Sequence, residues 1–140
     1  MRARAFLPIV AAVALSGCAA LALSPKSLTD QWGGPHVSLL FEGGLGTIDY
    51  DCASGTIDSL LIPAPDGSFT ATGTHRPGQV GPVRVGQIFT SLRAAYSGTV
   101  KKDKVTKKNQ MTLSVRLEDG TTIGPFSLTL GSQGQLTRCL

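Results

Sequence analysis

The chain has 140 residues, 13 Lys and Arg against 9 Asp and Glu, and a formal net charge of +4. That length is enough for one domain around one core. Two of the basic residues are Arg2 and Arg4, and without them the balance is 11 to 9, about +2, too little to mark a nucleic-acid binder.

The N-terminus has the form of a targeting segment. Residues 1–4 are short and basic, and residues 5–15, "AFLPIVAAVAL", are eleven apolar residues. A membrane-spanning helix needs about 20, so the pattern reads as a secretory signal. The next motif, "LSGC" ending at Cys18, resembles the lipobox of bacterial lipoproteins. The resemblance implies that residues 1–17 are removed, that Cys18 carries lipid on its sulfur, and that its new amino group is acylated. Two or more acyl chains anchor stably where one does so only marginally. Ala19, in place of the Asp that favours inner-membrane retention, points to the outer membrane, facing the periplasm. The expected partner is therefore the membrane, reached through Cys18. Residues 18–31 read as a lipidated tether, in which a dozen extended residues reach roughly 40 Å.

Residues 32–140 are expected to form a single β domain. With 17 glycines and few aromatics, no helical stretch of useful length appears. Residues 36–41 alternate as a strand with Val37, Leu39 and Phe41 on one face. A glycine turn (42–46) leads to a strand at 47–52, with Ile48, Tyr50 and Cys52 on one face and Thr47, Asp49 and Asp51 on the other. "ASG" (53–55) reads as a turn, 56–62 as a strand, and "PAPDG" (63–67) as a turn. The strand at 68–75 sets Phe69, Ala71 and Gly73 against three threonines. A Gly- and Pro-rich excursion follows, with a short strand or helical turn near 87–92. Residues 93–100 form a strand and 101–109 a charged loop. The clearest strand is 110–117, with Met111, Leu113, Val115 and Leu117 on one face. A hairpin turn at 118–120 leads to a return strand with Phe126, Leu128 and Leu130 inward. About eight strands at this spacing predict a small antiparallel barrel, with a β-sandwich as the alternative. The two Thr-Ile-Asp copies, nine residues apart, are too short to be a repeat.

Once Cys18 is set aside, Cys52 and Cys139 remain, an even pair that in an exported chain predicts a disulfide. As a nucleophile Cys52 has the wrong neighbours, because Asp49 and Asp51 would raise a thiol pKa. On one strand face those two carboxylates would stand about 7 Å apart, within the range used by glycosidases. That face is wet, however, and two solvated carboxylates keep ordinary pKa values. Only His36 and His75 could serve as histidine ligands, with no His-x-His or Cys-x-x-Cys spacing, so neither a metal nor a cofactor is expected. Neither Gly-x-Ser-x-Gly nor a phosphate-binding glycine loop is present. Trp32 is read as core packing.

Lys101, Lys102, Lys104, Lys107 and Lys108 form the candidate anion-binding loop, either a solvated hairpin tip or a contact for anionic envelope material. No aromatic residues interleave with them, which argues against base stacking. "YDCASG" with the C-terminal "RCL" resembles small barrel lipoproteins that inhibit C-type lysozyme, although "AYSG" (95–98) reverses the order of that family's inhibitory motif. The expected function is a non-catalytic binding or structural module of the cell envelope. An inhibitor of a lysozyme-type wall hydrolase is the second reading and a small hydrolase the third.

Overall fold

The computed structural model describes residues 27–78, 82 and 84–139. The lipobox and signal lie outside the described residues. Eight strands close into an antiparallel barrel in chain order: β1 (Asp30–Gly34), β2 (Val37–Glu42), β3 (Leu45–Tyr50), β4 (Ala53–Ile57), β5 (Ser68–Pro77), β6 (Leu92–Lys102), β7 (Asn109–Leu117) and β8 (Thr122–Leu130). Closure comes from β1, which pairs with β2 along its whole length and with β8 at Trp32↔Leu130 and Gly33↔Thr129. The barrel is thus the predicted fold, and the sandwich alternative drops out.

Period-2 alternation explains the wall. In β7, Met111, Leu113, Val115 and Leu117 point inward and are almost fully buried. In β5, Phe69, Ala71 and Gly73 are inward while Thr70 and Thr72 face solvent. Eight strands leave an interior that side chains just fill, and here Trp32, Tyr96, Ile48 and Ile57 occupy it. Apolar inside and polar outside is the reverse of a membrane-spanning barrel. Among the described residues no helix is long and apolar enough to cross a membrane.

The up-and-down order gives the barrel two ends. The entry end receives residue 27 and carries the β2–β3 turn, the β4–β5 loop and the β6–β7 loop. The far end carries the β1–β2 and β3–β4 turns, the β5–β6 segment and the β7–β8 turn. Leu61, from the β4–β5 loop, plugs the entry end, and its carbonyl accepts a 2.8 Å bond from the Leu28 N–H.

Several expectations change. The first strand begins at Asp30, inside the stretch expected to be tether, and it was not foreseen as a strand. "ASG" is not a turn but the start of β4, which ends at Ile57 rather than 62. Cys52 is not on the β3 face. Tyr50 pairs with Ala53, so Asp51 and Cys52 form a two-residue turn, with Cys52 at φ 60°. Glu42 closes β2, Leu45 and Gly46 open β3, and Lys101 and Lys102 end β6. Of the three inward residues expected in β8, Leu128 is buried, whereas Phe126 and Leu130 are half-buried. No helix or strand forms among the described residues of 78–91. The two Thr-Ile-Asp copies lie side by side, with Thr47 opposite Thr56.

After β8 the chain does not add a strand. Residues 131–139 run from the entry end to the far end over the outer face of β1. Gly131 N–H bonds the Gln31 carbonyl at 2.7 Å, and Gln135 bridges Gly34 and His36 through two backbone bonds of 3.0 and 2.9 Å. This path needs a glycine beneath it, because a Cβ at Gly33 would lie 2.3 Å from the Gln133 carbonyl carbon.

Candidate functional site

At the far end the tail is stapled down. Cys139 is disulfide-bonded to Cys52 in the β3–β4 turn, with Cα atoms 5.2 Å apart, a normal separation for a bridge. One turn-residue neighbour completes the clamp. The Asp51 carboxylate accepts the Thr137 N–H at 2.6 Å on one oxygen and His36 Nδ1–H on the other. The Thr137 backbone bond, followed by His36, holds the Asp51 carboxyl below the usual range, contrary to the ordinary value expected for it. That direction suits a structural anion and not a general acid. Asp49 stands outward on β3 between Ser38 and Ser54. The two carboxylates are therefore not a matched pair on one strand face.

The histidines are not brought together either. His36 is exposed in the β1–β2 turn, whereas His75 is buried inside β5. The His75 ring faces Tyr50, with centroids 5.5 Å apart. Both the His75 Nδ1 and the Tyr50 hydroxyl are buried, with no hydrogen-bond partner among the described residues. Burial pushes the His75 pKa down, against a weaker upward pull from Asp119. Burial also drives the Tyr50 phenol far above its usual range, and nearby Tyr96 adds to this. The Tyr96 hydroxyl donates to the Thr74 carbonyl at 2.7 Å. Trp32 is core, as expected, and its Nε1–H donates to the Thr29 carbonyl at 3.2 Å. Among the described residues no three His, Cys, Asp or Glu side chains gather as metal ligands.

Two surface features remain as places to hold a partner. The first is a groove of about 710 Å³ on the outer wall, floored by Thr72, Thr74 and Ala95 and edged by Arg93 and Arg116. Ala95 pairs with Arg116 and is two residues from Arg93, so the guanidiniums spring from diagonal neighbours about 7–8 Å apart at their bases. Among the described residues neither makes an ion pair. Two such forks over a floor of small side chains suit a carboxylate or phosphate group, with Asp58 and Glu118 at the margins as acceptors for its donors. The alternation that turns Met111, Leu113, Val115 and Leu117 inward puts Arg116 on the outer face of β7, but its nearness to Arg93 depends on the β6–β7 register.

The second feature is the β6–β7 hairpin with the five lysines. Asp103 accepts the N–H groups of Val105 and Thr106 at 2.9 and 2.6 Å, which folds the loop on itself. Those bonds hold the Asp103 carboxyl below its usual range. The lysines are brought together as expected, except that Lys101 and Lys102 lie on the strand rather than in the loop. All five described arginines belong to the far half of the barrel, and all five described lysines to this hairpin at the entry end.

Compared with known proteins, the chain matches no family model, no curated protein and no solved structure.

Proposed function

We propose that the chain is a cell-envelope lipoprotein, held by acyl chains on Cys18 and facing the periplasm, whose barrel is a non-catalytic binding module. The observation that carries this is "LSGC" at the end of an eleven-residue apolar run, ahead of a self-contained barrel. The bond between the two remaining cysteines supports an oxidising compartment. The Arg93–Arg116 groove supports binding of an anionic group. Its lining holds two cations, with two carboxylates and threonines beside them.

The test is partition of the intact chain into the detergent phase when it is made in a bacterial host. The wild-type chain is expected there and the Cys18→Ala chain in the aqueous phase. Equal partition would remove the lipid anchor from the account.

A second reading, inhibition of a lysozyme-type wall hydrolase, is favoured by one observation. The barrel has eight strands, and the cysteine after Tyr50-Asp51 is bonded to the penultimate residue. The reversed "AYSG" motif lies within β6, with Tyr96 buried, so it offers no contact loop. Slower lysis of cell walls by C-type lysozyme in the presence of excess barrel would support this reading, and an unchanged rate would end it.

A further inference from the structure

Exposed apolar side chains and all five described lysines meet at the entry end, whereas the far end has the five described arginines and the exposed Val85 and Ile88. Among the exposed large apolar side chains, Leu45 (58%), at the start of β3, and Leu60 (59%), Ile62 (43%) and Val105 (88%), in loops, lie at the entry end. Leu60 lies over the β2–β3 turn, since a Cβ at Gly44 would come 2.4 Å from it. Leu60 and Leu45 therefore meet at the β2–β3 turn, Ile62 follows two residues on in the same loop as Leu60, and Val105 tips the adjoining hairpin.

That hairpin projects beyond the rim. Strand β5 follows β6 only as far as Ser68↔Thr99, while the β6–β7 pairing continues to Lys102↔Asn109. The projecting part carries Lys102, Lys104, Lys107 and Lys108 about Val105, with Lys101 at the rim, where its partner Gln110 is still paired with Thr129 of β8. The turn does not need an apolar residue at Val105, whose contribution to the loop is its N–H bonded to Asp103. An aliphatic tip ringed by lysines suits a bilayer surface, with the apolar group below the headgroups and the ammonium groups among the phosphates.

The tether leaves from the same end. Leu28 is bonded there to Leu61, and nine residues, 18–26, separate Ser27 from the preceding stretch of the signal. Nine residues reach at most roughly 30 Å, so a chain anchored at Cys18 keeps this end close to its membrane.

We infer that the entry end docks on an anionic phospholipid surface through Val105, its ring of lysines, and Leu45, Leu60 and Ile62. The choice of a membrane as occupant rests on the lipoprotein reading above. Asp30, Glu42, Asp58 and Asp66 also lie toward this end, and Asp30, Asp58 and Asp66 are bonded to neighbouring Thr or Ser hydroxyls. They offset the lysines in net charge, so the docking depends on the projecting hairpin and not on the charge of the whole end.

Residues 19–140 contain every strand, the core and both bonded cysteines, and serve as the unlipidated protein. Sedimentation with phosphatidylglycerol-containing vesicles is compared with pure phosphatidylcholine. Each lysine near an anionic surface is worth about fivefold in partition. Changing all five to Ser should therefore weaken binding at least about 100-fold, and raised salt should weaken the parent as screening shortens. Depth is read from quenching by brominated lipid of Val105→Trp, with Ile88→Trp at the far end as control; the native Trp32 is only 1% exposed. The inference expects anionic-lipid binding, quenching at position 105 and none at 88. Binding to neither vesicle, equal binding to both, or quenching at 88 instead of 105 overturns it. Because this protein lacks Cys18, none of these results depends on lipidation. The detergent partition of the intact chain fails or succeeds separately.

Discussion

Replacing Cys139 with Ser should cost this barrel a large part of its stability. The bond joins residues 87 positions apart, so it closes a loop containing strands β4 to β8. In the chain-entropy view, a loop of that size restrains the unfolded chain by about 4–5 kcal/mol. Domains of this size are stable by only about 5–15 kcal/mol. The tail keeps its backbone bonds at Gly131 and Gln135 and the Thr137–Asp51 bond in the variant, so the barrel remains the folded form while its margin shrinks. With a urea m-value of about 2 kcal/mol/M, the midpoint should fall by roughly 2 M, and the slope should rise because the unlinked chain exposes more surface on unfolding. Cys52→Ser should give the same shift. The double variant should fall no further, because all three remove one bond. A midpoint shift under about 0.5 M, or a double variant clearly weaker than either single, would refute the reasoning.

Other consequences follow from particular contacts. His75 has a pKa depressed by burial, so the unfolded chain binds its proton more readily. The stability this contributes is complete above the unfolded value, about 6.5, and is lost as pH falls below it toward the folded value. Urea midpoints measured from pH 8 down to 5 should decline more in the wild type than in His75→Phe, and parallel curves would contradict this. Asp51 works in the same sense at lower pH. Its depressed pKa contributes stability above the unfolded carboxylate value that is lost as pH falls through the folded one, so Asp51→Asn should flatten the acid limb of the stability curve. Gly33→Ala sets a Cβ against the Gln133 carbonyl carbon, which should lift the tail and make the Cys52–Cys139 bond easier to reduce with dithiothreitol. Unaltered reduction kinetics would show that the tail does not depend on this approach.

The parts of the fold legible in sequence were those where side chains alone decide the strand. β7 and β5 alternate without interruption, and their inward faces were read correctly. β1 was illegible because "DQWGG" holds one apolar residue and two glycines. It is a strand through its pairing on both sides, and its glycines are fixed by the tail and β8. β4 was misread because Ala-Ser-Gly has turn composition. Gly55 is in fact crowded, since a Cβ there would meet the Thr74 carbonyl oxygen at 2.4 Å and the Tyr96 hydroxyl at 2.6 Å. The cysteine pairing was legible from counting, but Cys52 sits in a positive-φ turn that composition did not indicate. His75 could have been found by running the Phe69–Ala71–Gly73 alternation one step further. The Arg93–Arg116 groove could not, because it depends on register, and neither could the apolar end, which joins loops far apart in sequence.

The most direct measurement is the mass of the N-terminal peptide of the protein recovered from the membrane fraction of a bacterial host. The account predicts that the mature chain starts at Cys18 and carries lipid on the sulfur and an acyl group on the amine. A chain starting elsewhere, or a peptide with Cys18 unmodified, would contradict the anchor and the envelope role built on it.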